Sequence, residues 1–176
     1  MLYGLIDDSA EFGALTYYAQ ADIIDYTTHN PSNMMETKEV EFFTPKDVGP
    51  RNWGREVLIA HVPGLYTGKL LMYNRGARGG LQKHHLKDEC SYIYSGEMMF
   101  YYDAGDGKIS QKKLVAGDSV HIPPGAVHRE EAITDLVIFE TSTPHFNDRV
   151  RMEEQYGEEI PVGGLPSTTI DQVETR

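Results

Sequence analysis

From residue 57 onward the chain is cut into short apolar or alternating runs by Gly, Pro, Asn and Asp, and this punctuation constrains its fold more than any other feature. The runs are VLIAHV (57–62), KLLMYN (69–74), SYIYS (91–95), MMFYYD (98–103), KKLV (112–115), SVHIP (119–123) and LVIFET (136–141). Segments this short, separated by turn residues, predict the strands of an all-β sandwich or barrel. Ser95-Gly96-Glu97 and Asp103-Ala104-Gly105-Asp106-Gly107 put Gly where tight hairpins need positive φ, so antiparallel neighbours are expected there. Pro123-Pro124-Gly125 cannot continue a central strand and is read as a bend that aims Val127 and His128.

The two ends are less regular. In residues 1–50, YTTH (26–29) and VEFFT (40–44) are candidate strands and SAEFGALTYYAQ a candidate short helix. Beyond Tyr156, GEEIPVGGLPSTTIDQVETR is rich in Gly, Pro, Ser and Thr with little apolar content, so it is expected to wrap the surface or fray. The expected organisation is an N-terminal extension (1–50) packing on the barrel, the barrel itself (51–156) and a C-terminal tail (157–176).

Composition narrows the functional classes. A chain of 176 residues suffices for one domain with one core, and no apolar run approaches the ~20 residues of a membrane helix. The start MLYGLIDDSAEF lacks the basic and long apolar regions of a secretory signal, and the single cysteine, Cys90, cannot form an internal disulfide. A cytoplasmic location follows as the expectation. A net charge of −11 with scattered Lys and Arg opposes the counterion-release attraction behind nucleic-acid binding. A small-molecule ligand, anionic ones included, is still compatible, because charge beyond ~8 Å is screened.

Two spaced sets of residues carry chemistry. The first runs Gly76-ARGGL-Gln82-Lys83-His84-HLKD-Glu89-CSYIYS-Gly96, and the second Gly117-DSVHI-Pro123-Pro124-Gly125-AV-His128. Gln82 and His84, two apart, project to the same face of an extended strand, and Glu89 can rejoin that face after a short turn. His128, just past the bend, supplies a fourth donor from another strand. Imidazole, carboxylate and amide oxygen together suit one divalent ion such as Zn, Fe, Mn, Co or Ni, and argue against a thiolate-type structural zinc site. A register using His85 in place of His84 would put Lys83 at the position of Gln82, and an ammonium has no lone pair to offer a metal. Cys90 alternates away from Glu89 and is read as a small buried hydrophobe.

These spacings resemble the two cupin motifs: glycine, His-x-His, Glu and glycine, then glycine, Pro-x-Gly and His. The second falls on Gly117, Pro123, Gly125 and His128, four fixed positions that ordinary residue usage would match about once in 10⁵ starts. Trp53-Gly54, Gly68-Lys69, LQKHHLKDE and STPHFNDRVRMEEQYG are in addition similar to small bacterial cupins related to type II mannose-6-phosphate isomerases, over about residues 50–157. The resemblance implies a cupin double-stranded β-helix, or jelly-roll barrel, with an irregular N-terminal extension, a homodimer, and a metal deep in one end of the barrel. Two positions depart from the pattern: Gln82 stands where the first His is usual, and Ala132 where an Asn often ends the second motif.

Single residues away from this convergence have ordinary roles as their default. His85 is expected at the surface or an interface, and His61 as a packed histidine. His29 and His145 carry no spacing signal. His121, close to the bend, is the histidine with a case for lining the pocket. Paired tyrosines place one ring in and one out, so Tyr73 and Tyr101 are candidates to add a phenol to the cavity. Lys87, Arg75, Arg78 and Arg129 could gather at its mouth to meet an anion. Met98-Met99 is read as packing.

Three functions are compatible with these residues. The resemblance points first to a sugar or sugar-phosphate isomerase or epimerase, with His121, Tyr101 and Glu131 as candidate bases and Tyr73, Lys87 and Arg129 as candidate substrate-binding groups. Two histidines and a carboxylate also match a non-haem Fe(II) dioxygenase, which a fourth, neutral ligand disfavours. A non-catalytic sugar-binding protein would use the same pocket.

Overall fold

The computed structural model describes residues 39–159, which hold eleven strands: β1 (Lys46–Arg51), β2 (Gly54–Val62), β3 (Tyr66–Tyr73), β4 (Gln82–His84), β5 (Glu89–Ser95), β6 (Glu97–Asp103), β7 (Ile109–Val115), β8 (Ser119–Ile122), β9 (His128–Ala132), β10 (Leu136–Ser142) and β11 (Arg149–Arg151). A single 3₁₀ turn, Glu154–Tyr156, is the only helical element among the described residues, and no helix there is long and apolar enough to cross a membrane. Every pairing is antiparallel, in a six-stranded sheet ordered β1-β2-β3-β10-β5-β8 and a five-stranded sheet ordered β11-β4-β9-β6-β7. This is the all-β architecture expected from the punctuated runs and the jelly roll that the resemblance implies.

All seven predicted runs are strands, three of them beginning three residues earlier than the apolar pattern does. Residues 40–44 are not in a strand; pairing begins at Lys46, where β1 lies against β2. The expected strand at 26–29, the expected helix at 9–20 and the tail from 160 lie outside the described residues.

One turn differs from expectation. Asp103 to Gly107 does close a hairpin, β6 to β7, with Asp103 Oδ1 accepting the backbone N–H of Gly105 and Gly107. Ser95-Gly96-Glu97 instead carries the chain from one sheet to the other, since β5 and β6 do not pair. Gly96 has φ +89, and a Cβ built on it would lie 2.2 Å from the Asp135 carbonyl oxygen. Only glycine passes so close to the neighbouring chain.

Alternation along the central strands builds the interior. Leu136, Ile138, Glu140 and Ser142 of β10 point inward, as do Thr67, Lys69, Leu71 and Tyr73 of β3 and Glu89, Ser91 and Ile93 of β5. These rows change character along their length. At one end Leu71, Ile93, Leu136 and Ile138, with Ile122 of β8, share the main core with Met98, Phe100 and Leu114 of the five-stranded sheet. Ile93, Met98 and Ile138 are fully buried, and truncating such a side chain to Ala typically costs about 2–5 kcal/mol. At the other end the same rows present Lys69, Glu89 and Glu140, with Lys69 directly across from Glu140 in the ladder. Cys90 sits on the outer face opposite Thr141 and His121, half-buried rather than enclosed.

Candidate metal centre

His84 lies at the end of β4, Glu89 at the start of β5 and His128 at the start of β9, and one donor atom of each falls within 4.8 Å of the others. The site spans both sheets: β4 and β9 bring the histidines, and β5 of the facing sheet brings the carboxylate. The sequence expectation of one shared wall for Gln82, His84 and Glu89 is corrected accordingly. The bend at Pro123-Pro124-Gly125 ties the two motifs together, because Gly125 donates its N–H to the His84 carbonyl at 2.7 Å.

Each imidazole is held by its far nitrogen. His84 Nδ1 donates to Asp148 Oδ1 at 2.8 Å, and His128 Nδ1 donates to the Ala126 carbonyl at 3.0 Å. Fixing Nδ1–H in this way leaves Nε2 of both rings to face the site, the arrangement usual for metal-bound histidine. His128 Nε2 is 3.1 Å from Glu89 Oε1 and His84 Nε2 is 3.9 Å from the same oxygen. Two imidazoles and a carboxylate, buried and converging, fit a borderline divalent ion.

Asp148 organises more than one ring. Its second oxygen accepts the N–H groups of Leu86 and Lys87 at 2.9 Å each, which shapes the turn from β4 to β5. The preceding Asn147 has φ +63, a left-handed conformation that Asn tolerates better than most side chains. Asp148, sixty-four residues from His84, was not foreseen from spacing.

Gln82 is beside the site, opposite His128 in the β4–β9 pairing. Its Oε1 accepts from Arg149 at 3.3 Å, and its amide nitrogen is 3.4 Å from His128 Nε2. His85, next along the chain, is exposed.

The cavity at the site opens to solvent at its mouth. A chain of buried opposite charges forms its floor. Glu56 accepts from Arg51 at 2.9 Å and from Lys69 at 3.0 Å; Lys69 is 3.9 Å from Glu140; Glu140 is 2.6 Å from Lys87, which also pairs with Glu89. Lys87 is thus deep in the cavity, not at its mouth. Tyr73 lines it too, its ring stacked on Trp53 at 4.1 Å and its phenol pushed upward in pKa by burial. Glu130, also lining the cavity and buried, lies 4.0 Å from His128 Nε2.

Charge states follow from these neighbours. Burial opposes the charged forms of Lys87 and Glu89, yet the Glu140 and Glu89 carboxylates hold Lys87 above its usual range, and the Lys87 ammonium with the His128 hydrogen bond holds Glu89 below its own. Burial likewise opposes protonation of His128, but its hydrogen bond to the Glu89 carboxylate and the charge of Glu130 raise it to about 8. His84 is lowered, by burial first and then by the Lys87 ammonium. Burial raises Glu130.

Four expected site residues lie elsewhere. His121 is largely exposed on β8, its Nε2 bonded to Asp88 at 3.0 Å, because the register with Cys90 turns it to the outer face. Tyr101, Glu131 and Arg129 alternate outward on β6 and β9, opposite in sense to His128 and Glu130. The Tyr101 hydroxyl donates to Glu131 at 2.8 Å, and the Arg78 and Arg129 guanidinium groups lie 5.1 and 4.9 Å from its ring centroid. Arg129 is buried against Glu158, just beyond the 3₁₀ turn. His145, unmarked in the sequence, lines the cavity.

Residues 69–142 match the family described as the cupin domain. Among curated proteins, an oxalate decarboxylase of Arthroderma benhamiae is 31% identical over 86 residues, covering 47% of this chain and 20% of that protein. Among solved structures, the capsular polysaccharide assembling protein CapF from Staphylococcus aureus superposes with a TM-score of 0.55 at 19% identity, covering 62% of this chain and 34% of CapF. A mutant of Bacillus subtilis oxalate decarboxylase OxdC gives 0.51 at 20% identity, covering 62% of this chain and 30% of that one. The chain therefore spans about a fifth of the curated relative and about a third of each of these structures. The match to the cupin domain is confined to residues 69–142, and the likeness to these solved structures is one of fold.

Proposed function

We propose that this protein is a metal-dependent isomerase or epimerase acting on a sugar or sugar phosphate. The observation that carries the reading is the buried Glu130 carboxylate, 4.0 Å from His128 Nε2 on the wall of the same cavity as His84 and Glu89. A divalent ion held by His84, Glu89 and His128 would supply Lewis acidity, polarising a carbonyl and its neighbouring hydroxyl. Gln82 would join as a fourth ligand if its amide turned to present Oε1. Glu130 replaces His121, Tyr101 and Glu131 as the base: its burial favours the protonated form, so it can both take and return a proton between adjacent carbons. Asp148 and the Ala126 carbonyl hold the two rings, and the Trp53–Tyr73 stack offers an apolar wall to the C–H face of a ring.

Incubating the metal-loaded protein with aldoses, ketoses and their phosphates in D₂O tests this. Deuterium entering at the carbon next to the carbonyl supports it, and no exchange over hours with any of them removes it. Oxalate belongs in the same panel, since the curated relative is named an oxalate decarboxylase.

The two-histidine, one-carboxylate set supports a second reading, a non-haem Fe(II) dioxygenase. Substrate-dependent oxygen uptake with Fe(II) would favour it, and activity retained without oxygen would exclude it. Saturable sugar binding without turnover would instead mark a non-catalytic sugar-binding protein.

A further inference from the structure

The lysines that would be expected to greet a phosphate are already committed. Lys69 is bracketed by Glu56 and Glu140, and Lys87 by Glu140 and Glu89, all with side chains about nine-tenths buried or more. The third cation on the wall, Arg149, donates to Gln82 at 3.3 Å. Against these three stand five carboxylates facing the same space: Glu56, Glu89, Glu130, Glu140 and Asp148. Carboxyl groups thus outnumber Lys and Arg on this wall, and each lysine that an incoming anion could reach already has two of them beside it. A desolvated anion without an uncommitted cation is costly to bury, whereas hydroxyl groups can donate to carboxylates and accept from ammonium groups that are already paired.

From this bracketing we infer that the cavity takes an uncharged polyhydroxylated ligand, a free sugar or polyol, and discriminates against its phosphorylated or carboxylated form. The inference rests on the reading of the cavity as a metal-bearing sugar site and selects between the two substrate classes left open above. Carboxylate oxygens of Glu56 and Glu140 accept hydroxyl protons, the Lys69 and Lys87 ammonium groups hold those oxygens in place, and the stacked Trp53 and Tyr73 face the ring's C–H surface. Glu140 is the residue that sets the preference, because it sits between both lysines.

The test is a calorimetric comparison, on the full-length Zn(II)-loaded protein, of D-mannose and D-fructose with D-mannose 6-phosphate and D-fructose 6-phosphate. Binding of a free sugar at least tenfold tighter than its phosphate is the expected result. A phosphate that binds as tightly or more tightly overturns the inference while leaving the isomerase reading in place, and no binding of either kind at millimolar concentration also overturns it. Free-sugar binding without deuterium exchange would sustain the inference and remove the isomerase reading. Glu140→Gln, which frees positive charge beside both lysines, is expected to narrow the preference at least tenfold; an unchanged ratio in the folded variant counts against the bracketing. Glu56→Gln repeats the comparison at Lys69 if Glu140→Gln does not fold, and the wild-type ratio decides in either case.

Discussion

The backbone N–H of Gly125 donates to the backbone carbonyl of His84 at 2.7 Å, so the bend that delivers His128 is tied directly to the strand that delivers His84. With φ +86, Gly125 occupies a conformation that few other residues adopt readily. Gly125→Val should therefore disturb both histidines at once and lower divalent-metal occupancy by tenfold or more, read by elemental analysis after dialysis. Occupancy equal to wild type would show that the two motifs are positioned independently.

His84→Ala, Glu89→Gln and His128→Ala should each abolish stoichiometric metal binding, while His121→Ala, which removes an exposed imidazole on the outer face, should leave it intact. Asp148→Asn keeps the shape but weakens the hold on His84 Nδ1, with an expected loss of about 10–100-fold in metal affinity. Titration calorimetry distinguishes these outcomes, and tight binding by His84→Ala would disprove the site.

His128 gives the centre a pH dependence of definite sign. Its folded value of about 8 lies above the usual 6.5, so its contribution to stability is fully present below 6.5 and is lost as pH rises through 8. The chelator-treated protein should lose on the order of 2 kcal/mol from this group between pH 6 and 9, measured by denaturant unfolding. Metal affinity should move oppositely, rising with pH until His128 is deprotonated, with proton release on metal uptake near pH 7. Metal affinity that does not change across this range would mean that His128 is not a ligand.

Two glycine substitutions separate crowding from backbone conformation. Gly96 and Gly117 both have positive φ, but a Cβ on Gly96 collides with Asp135 whereas one on Gly117 meets nothing within 4 Å. Gly117→Ala should cost about 1 kcal/mol and Gly96→Ala well over 2. Equal shifts in thermal midpoint would contradict the close passage between sheets.

The pair Arg129 and Glu158 is expected to matter for stability rather than ligand binding. Glu158→Gln, which weakens the hold on a buried guanidinium, should lower the unfolding free energy by roughly 1–3 kcal/mol without altering metal occupancy. A variant with native stability but lost metal would place this pair in the functional machinery.

Much of this barrel could be read from alternation and turn chemistry, and what escaped did so for identifiable reasons. β9 reads His-Arg-Glu-Glu-Ala, and its inward face is polar because it faces the site, so no apolar period marks it. β4 and β11 are three residues each, too short to show any period. Spacing in the two motifs identified His84, Glu89 and His128, whose donor atoms do converge, but it could not say that they come from facing sheets. Asp148 acts across a loop far along the chain, which no local pattern reports. Glu140 did carry a signal: it continues the inward row of Leu136 and Ile138, a charge where alternation calls for an apolar side chain. Glu130 carried the same kind of signal once His128 was taken as inward. Position in the sequence makes His121, Tyr101 and Glu131 candidates without fixing which way each faces, and the pleat turns all three outward.

The change from apolar to charged side chains along the inward rows of β3, β5 and β10 has an evolutionary consequence. The adhesive half and the reactive half of the molecule are stacked end to end on the same strands, so substitutions at Lys69, Glu89 or Glu140 need not pass through Leu71, Ile93 or Ile138. Such a scaffold can exchange one chemistry for another by rewriting one end of each strand while inheriting the other unchanged.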